Sequence, residues 1–375
     1  MTALALAVLC LLSIVLYTYA GYPLGVALLA RLFPRRSRCE PGYEPSVSVL
    51  LSVANGGEYL TKKLESLLDL DYPAERLEIL VYSDGSTDET ATILEDMARR
   101  HPRIEAHVCH ERAGKPTAQN RLAARARNEV LVLTDVRQPL SRDAIRELVA
   151  PLSDPTVGCV SGNLVLEGDT GAGAYWRYER FIRTSEGRLG RLVGVSGALY
   201  AVRRSDFPEL PAEVILDDMY VPLEIALSGK RVVFADGARA FDRALEDERE
   251  FPRKVRTLAG NYQLLRLLPR LLSPSNRSFF TLVSHKLLRL FCPWALASVF
   301  VASAVLALAP EAELGSGARL AWRGFFFAQL AFYVLALIGP RAGRGGALAR
   351  TFVVLNAAAV VGLARYLKGG QAVTW

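Results

Sequence analysis

The stretch Glu78-Ile-Leu-Val-Tyr-Ser-Asp-Gly-Ser-Thr-Asp-Glu-Thr90 decides the fold. Ile79 to Tyr82 is an apolar run long enough for a buried strand and too short for a helix. It stops at Ser83-Asp84-Gly85, a turn signal that leaves the Asp84 carboxylate at the carboxyl end of the strand. Ser86 and Glu89 have capping-box spacing, and Ile93, Leu94 and Met97 give the next segment a helical apolar stripe, so a helix is expected to start there. In an open α/β sheet, ligands bind just outside the carboxyl ends of the strands. A strand, a carboxylate and a helix start therefore point to a nucleotide pocket.

Working outward, Val47 to Val53 reads as an earlier buried strand broken by Asn55-Gly56-Gly57. Leu60, Leu64, Leu67 and Leu68 recur at helical spacing, which assigns Lys62, Lys63 and Glu65 to the opposite, polar face. A third strand is expected around Ile104 to Cys109. Pro116 then suits the first turn of a new helix, so Lys115 sits at a helix N-terminus, where cation and helix dipole both suit an anion. Val130 to Thr134 is a fourth strand, again ending on a carboxylate, Asp135. This β-α-β-α order implies a parallel sheet. A P-loop and a G-x-G-x-x-G fingerprint are both absent, so a nucleotide reading must rest on other residues.

Across the 375 residues, charges fill the middle and nearly vanish at both ends. Thr2 to Leu32 carries no charge until Arg31, and Arg35, Arg36 and Arg38 follow, the flanks of an uncleaved anchor rather than of a signal peptide. Pro23 is expected to kink or interrupt it. Three further apolar stretches, Leu290 to Ala309, Leu320 to Gly339 and Leu348 to Leu367, each approach the ~20 residues that a spanning helix needs. Arg266, Arg270, Arg277, Lys286 and Arg289 before the first of these, and Arg341, Arg344 and Arg350 between the last two, would face the cytoplasm, with Glu311 and Glu313 outside. The expected division is an anchor at 1–33, a basic linker at 34–45, a cytoplasmic domain at 46–250, an interfacial amphipathic segment at 251–286 and three transmembrane helices in 287–375. The net charge of +7 then reads as topology and contact with anionic membrane lipids, not as nucleic-acid binding. Cys10, Cys39, Cys109, Cys159 and Cys292 are scattered without metal-ligand spacing.

Several motifs now fall in one order: Pro45-Ser-Val-Ser-Val-Leu-Leu, Ser83-Asp-Gly-Ser-Thr-Asp88, Gly114-Lys115 with Asn120, Thr134-Asp135, Gly194-Val-Ser-Gly-Ala198 and Leu216-Asp217-Asp218. In that order the chain resembles family 2 glycosyltransferases of the GT-A fold, and within them the membrane-embedded branch of hyaluronan, chitin and cellulose synthases. The resemblance covers roughly Pro45 to Asn261. It implies an α/β fold: a nucleotide-diphospho-sugar transferase domain with a mixed, mainly parallel sheet flanked by helices, carrying about four transmembrane helices and interfacial amphipathic helices. It also implies a bacterial inner-membrane enzyme that moves a sugar from a nucleotide sugar, expected to be a UDP-sugar, in the cytoplasm.

Residue roles follow from the same resemblance. Asp84 would meet the base with the turn from Val53 to Asn55 beside it, and Lys115 and Asp135 would lie near the nucleotide. Asp218 is the expected general base for an inverting displacement, and only one of Asp217 and Asp218 can face the sugar. Ser196 and Gly197 match the family's acceptor-site loop, and Trp176 is placed on the acceptor side. Two departures stand out. Where most members have Asp-x-Asp, this chain has Asp135-Val136-Arg137, so binding of Mg2+ or Mn2+ rests on Asp135 alone, or Arg137 takes over part of the metal's charge on the diphosphate. Where the synthases have Gln-x-x-Arg-Trp, this chain has Arg253-Lys-Val-Arg256-Thr257; Arg253 and Arg256 are candidate diphosphate cations, and the missing tryptophan makes a long processive product less expected.

The amphipathic segments Gly171 to Leu189 and Val255 to Leu268 either lie on the membrane surface or pack under the sheet. The acceptor would be a growing glycan or a lipid-linked sugar. Alternatives are single-sugar transfer to a polyprenyl phosphate or other lipid, and an inactive membrane assembly partner. Four spans make a complete channel within one subunit unexpected, which leaves room for an oligomer or an export partner.

Overall fold

In the computed structural model the chain is described over residues 1–40, 42–167, 172–243 and 247–369. Helices α1 (Thr2–Leu16) and α2 (Tyr22–Leu32) are joined by a π-turn at Tyr17–Gly21, and together form one run through Leu32. Pro23 lies just past that turn, within the first residues of α2. The expected interruption takes this form.

Strand β1 (Val47–Val53) is buried at every residue. Helix α3 (Gly57–Leu68), β2 (Leu77–Asp84), α4 (Thr90–Arg100), β3 (Ile104–Cys109), α5 (Lys115–Arg125) and β4 (Val130–Thr134) follow in the alternation that the sequence predicts. Helix α6 (Ala144–Val149), β5 (Val157–Glu167), α7 (Ala172–Arg188), β6 (Leu199–Arg203), α8 (Asp217–Leu227) and β7 (Arg231–Arg243) complete a seven-stranded sheet of order β3-β2-β1-β4-β6-β5-β7. β3, β2, β1 and β4 are mutually parallel, while β6 runs antiparallel to both β4 and β5. Because Leu199 pairs with Thr134, the loop entering β6 lies against the carboxyl end of β4. That register places Gly197 beside Asp135.

The side-chain period of two divides the core into two layers. Val47, Val49 and Leu51 of β1 face Leu60, Leu64 and Leu67 of α3, whereas Leu50 and Leu80 face Ala118 and Leu122 of α5 on the other side. Two local expectations are corrected. The helix after Asp84 begins at Thr90, not at Ser86, because Asp88 caps it: its Oδ1 accepts the Thr90 N–H at 3.1 Å and its Oδ2 the Gly57 N–H at 3.0 Å. Lys63 is not on a polar face but only 1 % exposed, and its ammonium donates to Thr134 Oγ1 at 2.7 Å and to the Gln138 carbonyl at 2.6 Å. Its long stem reaches under the sheet from an otherwise apolar face.

Helix α9 (Asp247–Leu267) leads to a helical run from Phe279 to Leu308, made of α10 (Phe279–Leu282), a second π-turn at Val283–Leu287 and α11 (Leu288–Leu308). The membrane-directed helix thus begins at Phe279, earlier than the expected boundary at 287. After α12 (Glu311–Leu314), helices α13 (Ser316–Ile338) and α14 (Gly343–Leu367) fold back on each other, with the Phe332 and Phe352 rings 5.9 Å apart. Among the described residues three runs, Thr2–Leu32, Phe279–Leu308 and Ser316–Leu367, are long and apolar enough to cross a membrane, and the third contains the α13–α14 hairpin. Their length and polarity fit a membrane protein.

Both amphipathic segments bind these runs to the sheet. Tyr178 of α7 donates to the Tyr19 carbonyl in the first π-turn at 2.8 Å. Helix α9 meets α14 so closely that a Cβ on Gly362 would lie 3.0 Å from the Ala259 nitrogen.

Candidate active site

The site gathers at the carboxyl ends of β1, β2 and β4, where chain order reverses about β1. Asp84 ends β2, is fully buried, and accepts the Ala113 and Gly114 N–H groups, each at 2.8 Å. Gly85 follows at φ +58°, and a side chain there would meet the Arg112 backbone at 2.7 Å. Asp84 therefore faces inward and holds the turn that precedes Lys115. At the end of β1, beyond Val53, Asn55 adopts φ +51° and its Oδ1 accepts the Thr87 N–H at 2.8 Å, which ties the two strand-end loops together.

Lys115 connects this wall to the rest of the site. From the first turn of α5 its ammonium lies 2.9 Å from Asp135 Oδ1 and 3.1 Å from Asp217 Oδ2. Gln119, one turn on, donates to the same Asp217 oxygen at 2.8 Å. Burial works against the Lys115 charge, but Asp135 and Asp217 outweigh it and hold the ammonium above its ordinary value. Asp217 is thereby committed to α5, and Asp218 turns the other way, as adjacent residues at a helix start must.

Asp218 borders a cavity of about 150 Å3 together with Trp176, Arg183, Thr257 and Lys286. Burial, with the Asp217 carboxylate beside it, pushes Asp218 up to about 6. Gly197 lies between Asp218 and Asp135: a Cβ placed there would be 3.4 Å from Asp135 Oδ2 and 3.7 Å from Asp218 Oδ2. Two carboxylate oxygens thus converge on one bare piece of backbone. Ser196 fixes that loop, its N–H bonded to Ser161 Oγ at 3.0 Å, and Trp176 Nε1 donates to the Leu164 carbonyl at 2.8 Å.

The other expected cations lie apart from this pair of acids. Arg137 is ion-paired with Asp242, which also accepts from Gln138 Nε2 at 2.7 Å, so its charge is already matched. Arg253 is exposed on α9, while Arg256, one turn on, has a buried Nε without a hydrogen-bond partner. Thr257 lines the cavity where the synthases have tryptophan. Among the described residues no group of three metal-ligating side chains occurs. Asp135 nonetheless keeps one oxygen toward Gly197 while the other meets Lys115, a donor set of one carboxylate that fits a cation bound largely by a ligand's own phosphates.

Lys63 was missed as a site residue. Burial pushes it down to about 7, and its bond to Thr134 Oγ1 backs the turn that carries Asp135; Thr134 in turn donates to the Ala198 carbonyl at 2.7 Å. A lysine one residue from the apolar stripe is the only signal that the sequence carries for this role.

Comparison with known proteins places this geometry. Residues 48–208 match the model of the family described as "Glycosyl transferase family 2". The chain carries a family 2 glycosyltransferase domain of the GT-A fold. A mannosyltransferase from Pyrobaculum calidifontis, solved in complex with GDP-Man and Mn2+, superposes with a TM-score of 0.75 at 24% identity, covering 96% of this chain and 99% of that one. Among curated relatives, a beta-monoglucosyldiacylglycerol synthase of Synechocystis is 26% identical over 31% of this chain, and an N-acetylglucosaminyltransferase of Rhizobium meliloti 28% identical over 44% of it. The matches cover 25% and 41% of those two relatives, so the chain spans well under two thirds of their length.

Proposed function

We propose that this protein is an inverting membrane glycosyltransferase, moving a sugar from a nucleotide sugar, read as a UDP-sugar, to a glycan or lipid-linked acceptor. One observation carries the reading: Asp135 Oδ2 and Asp218 Oδ2 converge on Gly197, with the Lys115 ammonium against the far oxygen of Asp135. The donor's diphosphate would lie along Lys115 and Asp135, its nucleoside against the loops after Val53 and Asp84. Asp218 would face the acceptor from the cavity side, and a carboxyl held near 6 is ionised at neutral pH yet basic enough to accept a hydroxyl proton. Mg2+ or Mn2+ bound with the donor would take Asp135 as its protein ligand and neutralise the departing diphosphate. The catalytic domain is placed in the cytoplasm of a bacterial inner membrane on the strength of the arginines flanking the apolar runs.

The acceptor is proposed only as a class, because one relative is named for a glycolipid product and another for N-acetylglucosaminyl transfer. A polymer ladder would indicate polysaccharide synthesis, and one lipid-soluble product single transfer to a lipid. A second reading, an inactive assembly partner, is favoured by the Lys115 ammonium filling the space between Asp135 and Asp217. A panel of nucleotide sugars, scored by thermal shift and nucleotide release, separates the two. At least one donor should be bound and turned over, and Asp218→Asn should keep the thermal shift while losing about a thousandfold in turnover. No binding of any donor would sink the transferase reading.

A further inference from the structure

Helix α7 presents two lining faces. Trp176, Glu179, Arg183 and Glu186, at spacings of three and four, line the cavity beside Asp218. Arg177, Arg180, Thr184 and Arg188 repeat that spacing on the adjoining face, where with Phe181 and with Arg31 of α2 they line an open cavity of about 460 Å3. The two helices hold this cavity in shape. Tyr22 and Val26 of α2 pack on Ile182 of α7. Tyr178 bonds to the Tyr19 carbonyl near one end and the Arg188 carbonyl accepts the Arg35 N–H at 2.8 Å near the other, so the helices run side by side in the same direction. No acid lines the outer cavity among the described residues. Arg180 meets Asp236, whose two oxygens lie 2.7 Å from its Nη2, while Arg31, Arg177 and Arg188 are exposed and form no ion pair among the described residues. Glu179 and Glu186 lie on the inner face, engaged by Arg289 and His285. Guanidinium groups gathered in one concavity repel each other, and a bound anion offsets that repulsion.

We propose that this outer cavity binds the phosphate headgroup of an anionic membrane lipid, which acts as an activator and not as the acceptor. Guanidinium forks match phosphate oxygens two at a time, a fit that lysine does not offer. The source of the phosphate follows from the α2 wall. Arg31 stands in the last turn of the apolar run Thr2–Leu32, and Leu28 and Leu24, one and two turns before it, are exposed on the same side of the helix. A phosphate held by the arginines would therefore lay its acyl chains along those leucines, whereas free phosphate would leave them uncovered. Phe181, also exposed, adds an apolar rim beside Arg177 and Arg180. Arg35, Arg36 and Arg38 follow directly in the chain, and a basic cluster at the end of an apolar run draws anionic lipids to it. Activation follows from the two faces of α7. A lipid that clamps the outer face onto α2 also steadies the inner face, which carries Trp176, Arg183 and Glu186 of the cavity beside Asp218. The effect on turnover rests on the transferase reading above; the binding of the lipid does not.

The test uses the full chain. Offered equal amounts of dioleoylphosphatidylglycerol and dioleoylphosphatidylcholine in detergent, it should retain the anionic lipid in about tenfold preference, read by native mass spectrometry. Arg177→Gln combined with Arg188→Gln should lose that preference at an unchanged Tm, and Arg177→Lys combined with Arg188→Lys should keep part of it. In nanodiscs, with the labelled nucleotide sugar that the panel identifies, nucleotide release by the parent should be about fivefold faster or more when phosphatidylglycerol is present than in phosphatidylcholine alone. The glutamine variant should match the parent in phosphatidylcholine and gain nothing from phosphatidylglycerol. Equal retention of the two lipids by the parent, or a preference that survives in the glutamine variant, overturns the inference. So does displacement of phosphatidylglycerol by inorganic phosphate at equal concentration, which would make the cavity a site for free anions. Label entering phosphatidylglycerol would make the lipid an acceptor, and release that is not accelerated in the parent, or is accelerated equally in the variant, would remove its role as activator; either result overturns the proposal. Failure to bind any nucleotide sugar overturns the transferase reading instead, and lipid retention then decides the site by itself.

Discussion

The two sides of the site handle charge in opposite ways. On the proposed donor side, the Lys115 ammonium sits within 3.1 Å of both Asp135 and Asp217, and Arg137 is closed onto Asp242. On the proposed acceptor side, Arg183 and Lys286 share the cavity with Glu179, Glu186 and Asp218, but Arg183 Nε and Glu186 Oε2 are buried without a hydrogen-bond partner among the described residues. A region whose charges are matched is organised before its ligand arrives, whereas an unmatched one is completed by its ligand. The donor side should therefore lose structure when a charge is removed, and the acceptor side should lose binding.

Substitutions can break or sharpen that contrast. The largest effect is expected from Lys115→Met, which leaves Asp135 and Asp217 facing each other without a cation; stability should fall by about 3–5 kcal/mol, seen as a lower Tm, with nucleotide-sugar binding lost as well. A Tm equal to that of the parent would mean that the ion pairs do not organise the donor side. Next, Gly197→Ala should slow turnover about tenfold with little change in Tm, since the new Cβ enters the space between Asp135 and Asp218, the two carboxylates proposed to face the reacting sugar. The smallest effect belongs to Arg137→Gln: about 0.5–1 kcal/mol of stability from a partly exposed pair, and an unchanged donor KM with and without added Mg2+. If donor KM instead rises sharply in Arg137→Gln, the guanidinium leaves Asp242 for the diphosphate, and the contrast between the two sides narrows.

The parallel half of the sheet could be read from the chain because each strand is a short apolar run ending in a turn former, and backbone hydrogen bonding makes that pattern local. Asp84, Asp135 and the Asp217-Asp218 pair were legible for the same reason, each standing at the end of an element. What could not be read depends on contacts far apart in sequence. The partner of Arg137 is Asp242, and nothing near Arg137 announces it. Lys63 looked like a surface lysine because helical spacing sorts residues by direction, not by the reach of a long stem toward Thr134. Lys286 was counted among the arginines and lysines that set topology, since a π-turn has no side-chain signature to reveal that a membrane-flanking lysine points into a cavity.

The two π-turns touch, with Tyr17 Oη and Ser284 Oγ 2.9 Å apart. Each π-turn holds one residue more than an α-helical turn would, so it behaves as an insertion absorbed within the helix. Deleting one residue from Val283–Leu287 would restore regular winding and rotate the preceding segment by about 100° relative to α11. The side chain presented to the acceptor would then change without any substitution. Among homologous chains, acceptor preference should accordingly track the length of this segment as well as its composition, so an alignment that closes a one-residue gap here would erase the difference that matters.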